Sequence, residues 1–211
     1  MKQEETMNKT IICGIPMKAP VEKVVYNSDD KSLPIADFPV RYPINAFLNK
    51  TADDNDHFKV ILLVKSDEYS AAEQNLKDFQ EEFSAVVSST GASAELCVLR
   101  SVFLEAKDVH EKLLGNLVEE ITVGSQILAD LTYGPKDLPI IIFTALNFAE
   151  KFLKCEIENI VYGQASFFNG RAVNTKICDM VPLYYLGSVT NTIGSADPAK
   201  AKSMLKALLS L

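Results

Sequence analysis

Apolar positions along this chain alternate between two spacings. Phe58-Lys-Val-Ile-Leu-Leu-Val64 is a short, dense apolar run, as expected of a buried strand, and Glu95-Leu-Cys-Val-Leu99 reads as the next strand. Between them Ala72, Leu76, Phe79, Phe83 and Val86 recur at steps of four and three. That spacing predicts one buried helical stripe over 69–89. Glu73, Lys77, Asp78, Glu81 and Glu82 fall opposite it and form a solvated face. Val109, Leu113, Leu117 and Ile121 predict a second helix over 105–121, and Gln126–Leu131 a strand. Leu138–Leu153 predicts a helix apolar on most sides, with Thr144, Asn147, Lys151 and Lys154 as its narrow polar line.

The ends of the chain complete the pattern. Lys9–Met17 predicts a first strand, closed by Pro16, which cannot donate to a ladder. Residues 18–57 are rich in Pro, Asn and Asp; Val24–Tyr26 and Phe38–Ile44 read as extended pieces and Asn45–Leu48 as a helical turn. Ile157–Tyr162 predicts another strand. Phe168-Asn-Gly-Arg171 joins it to an apolar run, Lys176–Tyr185, at hairpin spacing. Residues 197–211 predict a last helix, with Asp197 as N-cap and Pro198 at the first helical position. Strands alternating with helices imply an α/β fold: a mainly parallel central sheet flanked by helices, with a C-terminal hairpin and helix. The expected organisation is a tail over 1–8, one domain over 9–194 and a C-terminal helix over 195–211. Met204, Leu205, Leu208, Leu209 and Leu211 keep that helix apolar to its end. This raises the expectation that it docks on a partner subunit or leads into an effector domain outside the chain.

Composition narrows the function. A net charge of −7 disfavours a general duplex DNA or RNA binder, which needs a basic field. It leaves room for a small anion held by a few local lysines. Cys13, Cys97, Cys155 and Cys178 form no C-x-x-C pair, so buried free thiols in a reducing compartment are expected. His57 and His110 are far apart, which disfavours a zinc site or a histidine triad. No targeting segment is visible. The longest apolar segment, Leu138–Ala149, is shorter than the about 20 residues that span a bilayer. A soluble cytoplasmic protein without membrane contact is therefore expected.

In an open α/β sheet, ligands bind outside the carboxyl ends of the strands. Gly14, Ile15, Pro16, Met17 and Lys18 follow the first strand. Lys65, Ser66 and Asp67 follow the second. Thr132, Tyr133, Gly134, Pro135 and Lys136 follow the Gln126 strand, and Gly163, Gln164, Ala165 and Ser166 follow the Ile157 strand. No G-x-G-x-x-G, Walker loop or G-x-S-x-G is present, so dinucleotide, Walker-type and nucleophile-elbow chemistry are disfavoured. The acidic pairs Asp29-Asp30 and Asp53-Asp54 lie in polar loops and read as solvated turns. The Thr132–Lys136 turn has two readings of similar weight. It is a plain strand-to-helix loop, or it is an anion site at a helix start. Lys136 favours the second, because a cation there opposes the helix dipole unless an anion joins it.

Asp130-Leu-Thr-Tyr-Gly-Pro-Lys-Asp-Leu-Pro139 resembles the signature of CRISPR-associated CARF domains: Asp, an aliphatic, Thr, His or Tyr, Gly, any residue, a cation, any residue, Leu or Met, Pro. As in one branch of that family, a long apolar helix and a strand ending in Tyr-Gly follow, here Ile160-Val-Tyr-Gly163. The Gly14–Lys18 turn stands where the family has its other ligand loop. The resemblance covers about residues 9 to 190. It implies a Rossmann-like homodimer that binds a cyclic oligoadenylate, the messenger of type III CRISPR defence, across its two-fold axis. Cyclic tetra-adenylate is the first choice of ring. Lys136, Thr132 and Gly134 match the motif; Tyr133 replaces the common histidine, and Pro135 removes an amide. Tyr133, Ile15 or Met17 would pack on adenine. The implied role is a sensor that controls an effector. The alternative is a ring nuclease using Lys136, Thr132 and Lys18 for metal-independent attack of a ribose 2′-hydroxyl on its own phosphate. Neither role implies a cofactor or a metal.

Overall fold

In a computed structural model, residues 6–66, 71–193 and 197–209 are described. Strands β1 (Met7–Gly14), β2 (Asp56–Lys65), β3 (Ser93–Ser101), β4 (Gln126–Asp130), β5 (Glu156–Phe168) and β6 (Arg171–Asp179) form one sheet in the order β3-β2-β1-β4-β5-β6. All pairs are parallel except β5–β6. The crossovers are α1 (Pro43–Thr51), α2 (Ala72–Thr90), α3 (Lys107–Glu120) and α4 (Leu138–Phe152). The α/β expectation, with a mainly parallel sheet flanked by helices, describes this Rossmann-like arrangement.

Alternation along the central strands sorts the two faces. Ile11 and Cys13 of the first strand and Ile15 just after it, with Phe58, Val60, Leu62 and Val64 of the second, share a core with Phe47 and Leu48 of α1 and with Phe79, Phe83 and Val86 of α2. Ile12, Ile61 and Leu63 point the other way and are equally buried, as are Leu113 and Leu117 of α3 and Ile142 and Leu146 of α4. Covering both faces is why these strands read as continuous apolar runs. At the amino edge of the sheet, buried Lys9 pairs with Asp56 at 3.2 Å and Glu158 at 3.4 Å, which satisfies a charge the strand pattern would otherwise strand in the core.

Three local expectations change. The first strand begins at Met7 and ends at Gly14, so Ile15–Met17 belong to the following loop. Helix α1 starts at Pro43, inside the stretch read as extended, because proline suits the first helical turn. The Lys176–Tyr185 run is not one strand: β6 ends at Asp179, and Val181–Thr192 is helix α5. Pro182 sits in its first turn. The Val-Pro-Leu-Tyr-Tyr composition suits a strand, but a proline within a run has no donor for a ladder.

The hairpin expectation holds. Asn169 and Gly170 turn β5 into β6 with φ of 49° and 77°, the left-handed pair that a two-residue turn of this kind requires. The segment 18–42 crosses from β1 to the far edge of the sheet. Val24 bridges Val40, and Asn27 bridges Lys176 beside the outer edge of β6. Two compact units are distinguished, Met1–Asp179 and Met180–Leu211; the second contains α5 and α6 (Pro198–Leu208). Asp197 caps α6 by accepting from the amides of Ala199 and Lys200, as its sequence predicted. No helix of the described residues is long and apolar enough to cross a membrane.

Candidate functional site at the strand-order switch point

Strand order reverses between β1 and β4, whose chain neighbours lie on opposite sides. At such a point the two following loops diverge and leave a crevice. Here they are Gly14–Lys18 and Thr132–Lys136, the two turns singled out in the sequence. They touch directly: a Cβ on Gly14 would overlap the backbone carbonyl of Tyr133. Gly134, at φ 126°, lies against the Leu138 side chain with no room for a Cβ. Gly14 is required by its close approach to backbone, and Gly134 by its backbone angle.

Asp130 shapes the second loop. It is fully buried at the end of β4 and accepts from the Thr132 amide at 2.9 Å and from the Ile44 amide, at the start of α1, at 3.1 Å. Burial pushes its carboxyl up to about 6, against the pull of those bonds. Thr132 uses its hydroxyl to accept from the Gly163 amide at 2.7 Å, tying the loop to β5, and the same hydroxyl bonds the Asp130 carboxylate. Tyr133 turns inward. Its ring lies edge-on to Tyr42, and its hydroxyl, like that of Tyr26, donates to the Arg41 carbonyl. Burial drives its phenol far above the ordinary tyrosine range.

Asn75 performs the matching task for the first loop. It is fully buried on α2; its Nδ2 donates to the carbonyls of Pro16 and Ala19 at 2.8 and 2.9 Å, and its Oδ1 accepts from the Val21 amide at 3.2 Å. The Met17 carbonyl accepts from the Ala71 amide. Lys18 is thus an exposed side chain on a pinned backbone. Nothing in the sequence marked Asn75 beyond its place on the apolar side of a predicted helix.

The first turn of α4 offers no free donors. The Leu138 amide goes to the Pro135 carbonyl, Pro139 has none, and the Ile140 amide goes to the Asp137 carbonyl. Donors come instead from the loops. The amides of Met17, Lys18, Gly134, Lys136 and Asp137 have no protein acceptor among the described residues. Lys18 and Lys136 are exposed and have no acidic partner among the described residues. Two exposed cations and five unclaimed amides around a switch-point crevice suit an anion of extended shape.

The remaining candidates fall as follows. Ile15 and Pro16 are buried, so Ile15 has no side-chain surface for a ligand and enters the site only through its backbone; Met17 is half-exposed. Of the three residues expected to pack on adenine, Met17 alone is neither core-buried nor turned inward. Ser66 is exposed just after β2, its amide bonded to the Ser101 carbonyl at the end of β3; Asp67 lies outside the described residues. Gln164 is not in a turn. It lies on β5 opposite Lys176, in the part of the hairpin that runs past the end of β4. The expectation that the strand ends at Tyr162 fails because β6 supplies an antiparallel partner. His110, set aside in the sequence as an isolated polar histidine, reaches the site from α3: its Nε2 lies 2.6 Å from Oδ2 of Asp137.

Among the described residues no group of three or more His, Cys, Asp or Glu is arranged to hold a metal. Two cavities, of about 380 and 450 Å³, lie elsewhere. One is beside Phe38–Arg41 and α2, the other at the amino edge around Lys9, and the switch-point loops line neither.

No family model matches the chain. Over 131 residues it is 19 % identical to the CRISPR-associated protein MJ1674 of Methanocaldococcus jannaschii, a stretch covering 60 % of this chain and 20 % of that protein. The chain thus matches about a fifth of the length of this relative.

Proposed function

We propose that this chain binds a cyclic oligoadenylate at the β1–β4 switch point and serves as a sensor in type III CRISPR defence, with cyclic tetra-adenylate as the favoured ring. The observation that carries the reading is the pair of apposed loops, each carrying one exposed lysine and amides without a protein acceptor among the described residues. Phosphodiesters are recognised by such donors. Similarity to a CRISPR-associated protein supports a CRISPR-related role, and the motif around Thr132–Lys136 supports the ligand class. A ring of even symmetry is matched by two copies of one half-site across an isologous dimer axis. In each copy Lys18 and Lys136 face phosphates, Thr132 lies at a phosphate or ribose hydroxyl, and half-exposed Met17 packs on a base. The effector under control lies outside this chain.

The test is to incubate the protein with cyclic tetra- and hexa-adenylate, measure binding, and chromatograph the nucleotide over hours. Tight binding with an intact ring is the expected result. Linear products would establish the ring-nuclease alternative; no binding of either ring would remove the proposal.

A further inference from the structure

Asp137 is a carboxylate placed where an anion site should not have one. It adjoins Lys136 and occupies the N-cap position of α4. An aspartate there ordinarily accepts from first-turn amides, but this one makes no such bond. Its side chain turns to His110, with Oδ2 2.6 Å from Nε2, and its Oδ1 is buried without a partner. Only 24 % of the Asp137 side chain and 35 % of the His110 side chain is exposed, so solvent screens the pair incompletely. A phosphate at the Lys136 turn would meet this like charge at short range. An imidazolium on Asp137 cancels it.

We propose that His110 is a positioning residue of the site: it holds the Asp137 carboxylate off the helix start and, when protonated, neutralises it, so that anion binding at the Lys136 turn is coupled to proton uptake. The proposal rests on reading that turn as a phosphate site. Other charges near the pair do not replace His110. On α3, Lys107 and Glu111 bind each other at 3.5 Å, Asp108 lies in the exposed first turn, and Glu105 precedes it. On β3, which packs on α3, Arg100 is bound to Glu73 and Glu95 is exposed. Helix α4 carries no charge before Glu150. Asp130 titrates in the same region of pH, but it is common to the wild type and every His110 variant.

Binding of cyclic tetra-adenylate is measured at about pH 6 and about pH 8, at constant ionic strength, for the wild type, His110→Gln and the double variant His110→Gln with Asp137→Asn. Imidazole titrates between these values. The wild type is expected to bind roughly tenfold tighter at the lower pH, the effect of one nearby charge in a partly screened site. His110→Gln is expected to lose most of that ratio and to match the weaker wild-type affinity. The double variant is expected to recover tight binding at both values, because the carboxylate is gone. An unchanged ratio in His110→Gln, or a double variant as weak as His110→Gln, overturns the proposal. If no ring binds the wild type, the functional reading has failed. The same comparison is then made with sulfate, whose charge is constant over this range, read by the amide shifts of Gly134 and Lys136. Shifts that respond to pH equally in the wild type and His110→Gln, or no shifts at all, also overturn it.

Discussion

Asp130 has both carboxylate oxygens committed, one to its own loop and one to the start of α1, and is nevertheless pushed up to about 6 by burial. The sign of the consequence follows from proton counting. Below the unfolded carboxyl range the group is protonated in both states and costs nothing. As pH rises toward about 6 the unfolded chain releases its proton first, so stability falls; above that it is level. Raising a carboxyl from its ordinary range to about 6 corresponds to about 3 kcal/mol as an upper figure. Asp130→Asn should therefore differ from the wild type by an amount that changes between about pH 4 and pH 6. Parallel urea titrations across that range check this, and a constant difference would contradict it. At Lys136 the expectation concerns binding: Lys136→Glu should weaken cyclic oligoadenylate binding by about 2–5 kcal/mol, as when a charge pair loses one partner. Calorimetry reads this directly. Lys136, Thr132 and Gly134 were legible in the sequence because a strand, a turn and a helix fixed their place. Asn75 and His110 were not: each acts on a loop distant in sequence, and hydrophobic spacing records only which face a residue occupies.

At the scale of elements, the site is two loops pressed together and separately pinned. Asn75→Ala removes three bonds and leaves the Pro16 and Ala19 carbonyls and the Val21 amide unpaired. It should lower stability by about 2–4 kcal/mol and weaken ligand binding further through a loosened Lys18. Thermal unfolding and binding of the same variant test this; a loss of stability with unchanged affinity would place Lys18 outside the site. Gly14→Ala forces a methyl group against the Tyr133 carbonyl and should cost about 1–3 kcal/mol, the range for overpacking. The strands and crossover helices were legible because a buried parallel sheet demands dense apolar runs and its helices demand stripes. Helix α5 was not, because the residues from Val181 to Tyr185 carry strand-like composition and the helix-starting role of Pro182 depends on where β6 stops. The length of β5 was equally hidden, since its last residues are ordered by a partner strand rather than by burial.

For the whole molecule, the order β3-β2-β1-β4-β5-β6 matters more than any single loop. Alternating strands and helices imply a parallel sheet, yet alternation alone does not say where the strand order reverses. Only the assembled sheet brings the loop after β1 against the loop after β4, although their lysines are more than a hundred residues apart in the chain. If a symmetric ring is bound as proposed, one such crevice provides half of its contacts, and two chains are needed for each ligand. The direct measurement is an isothermal titration of the protein with cyclic tetra-adenylate and cyclic hexa-adenylate, with mass measured in solution before and after. The account predicts a dimer that binds one ring per two chains, and loss of that binding in Lys136→Glu. Binding of one ring per chain, affinity unaffected by Lys136→Glu, or no binding of either ring would contradict it.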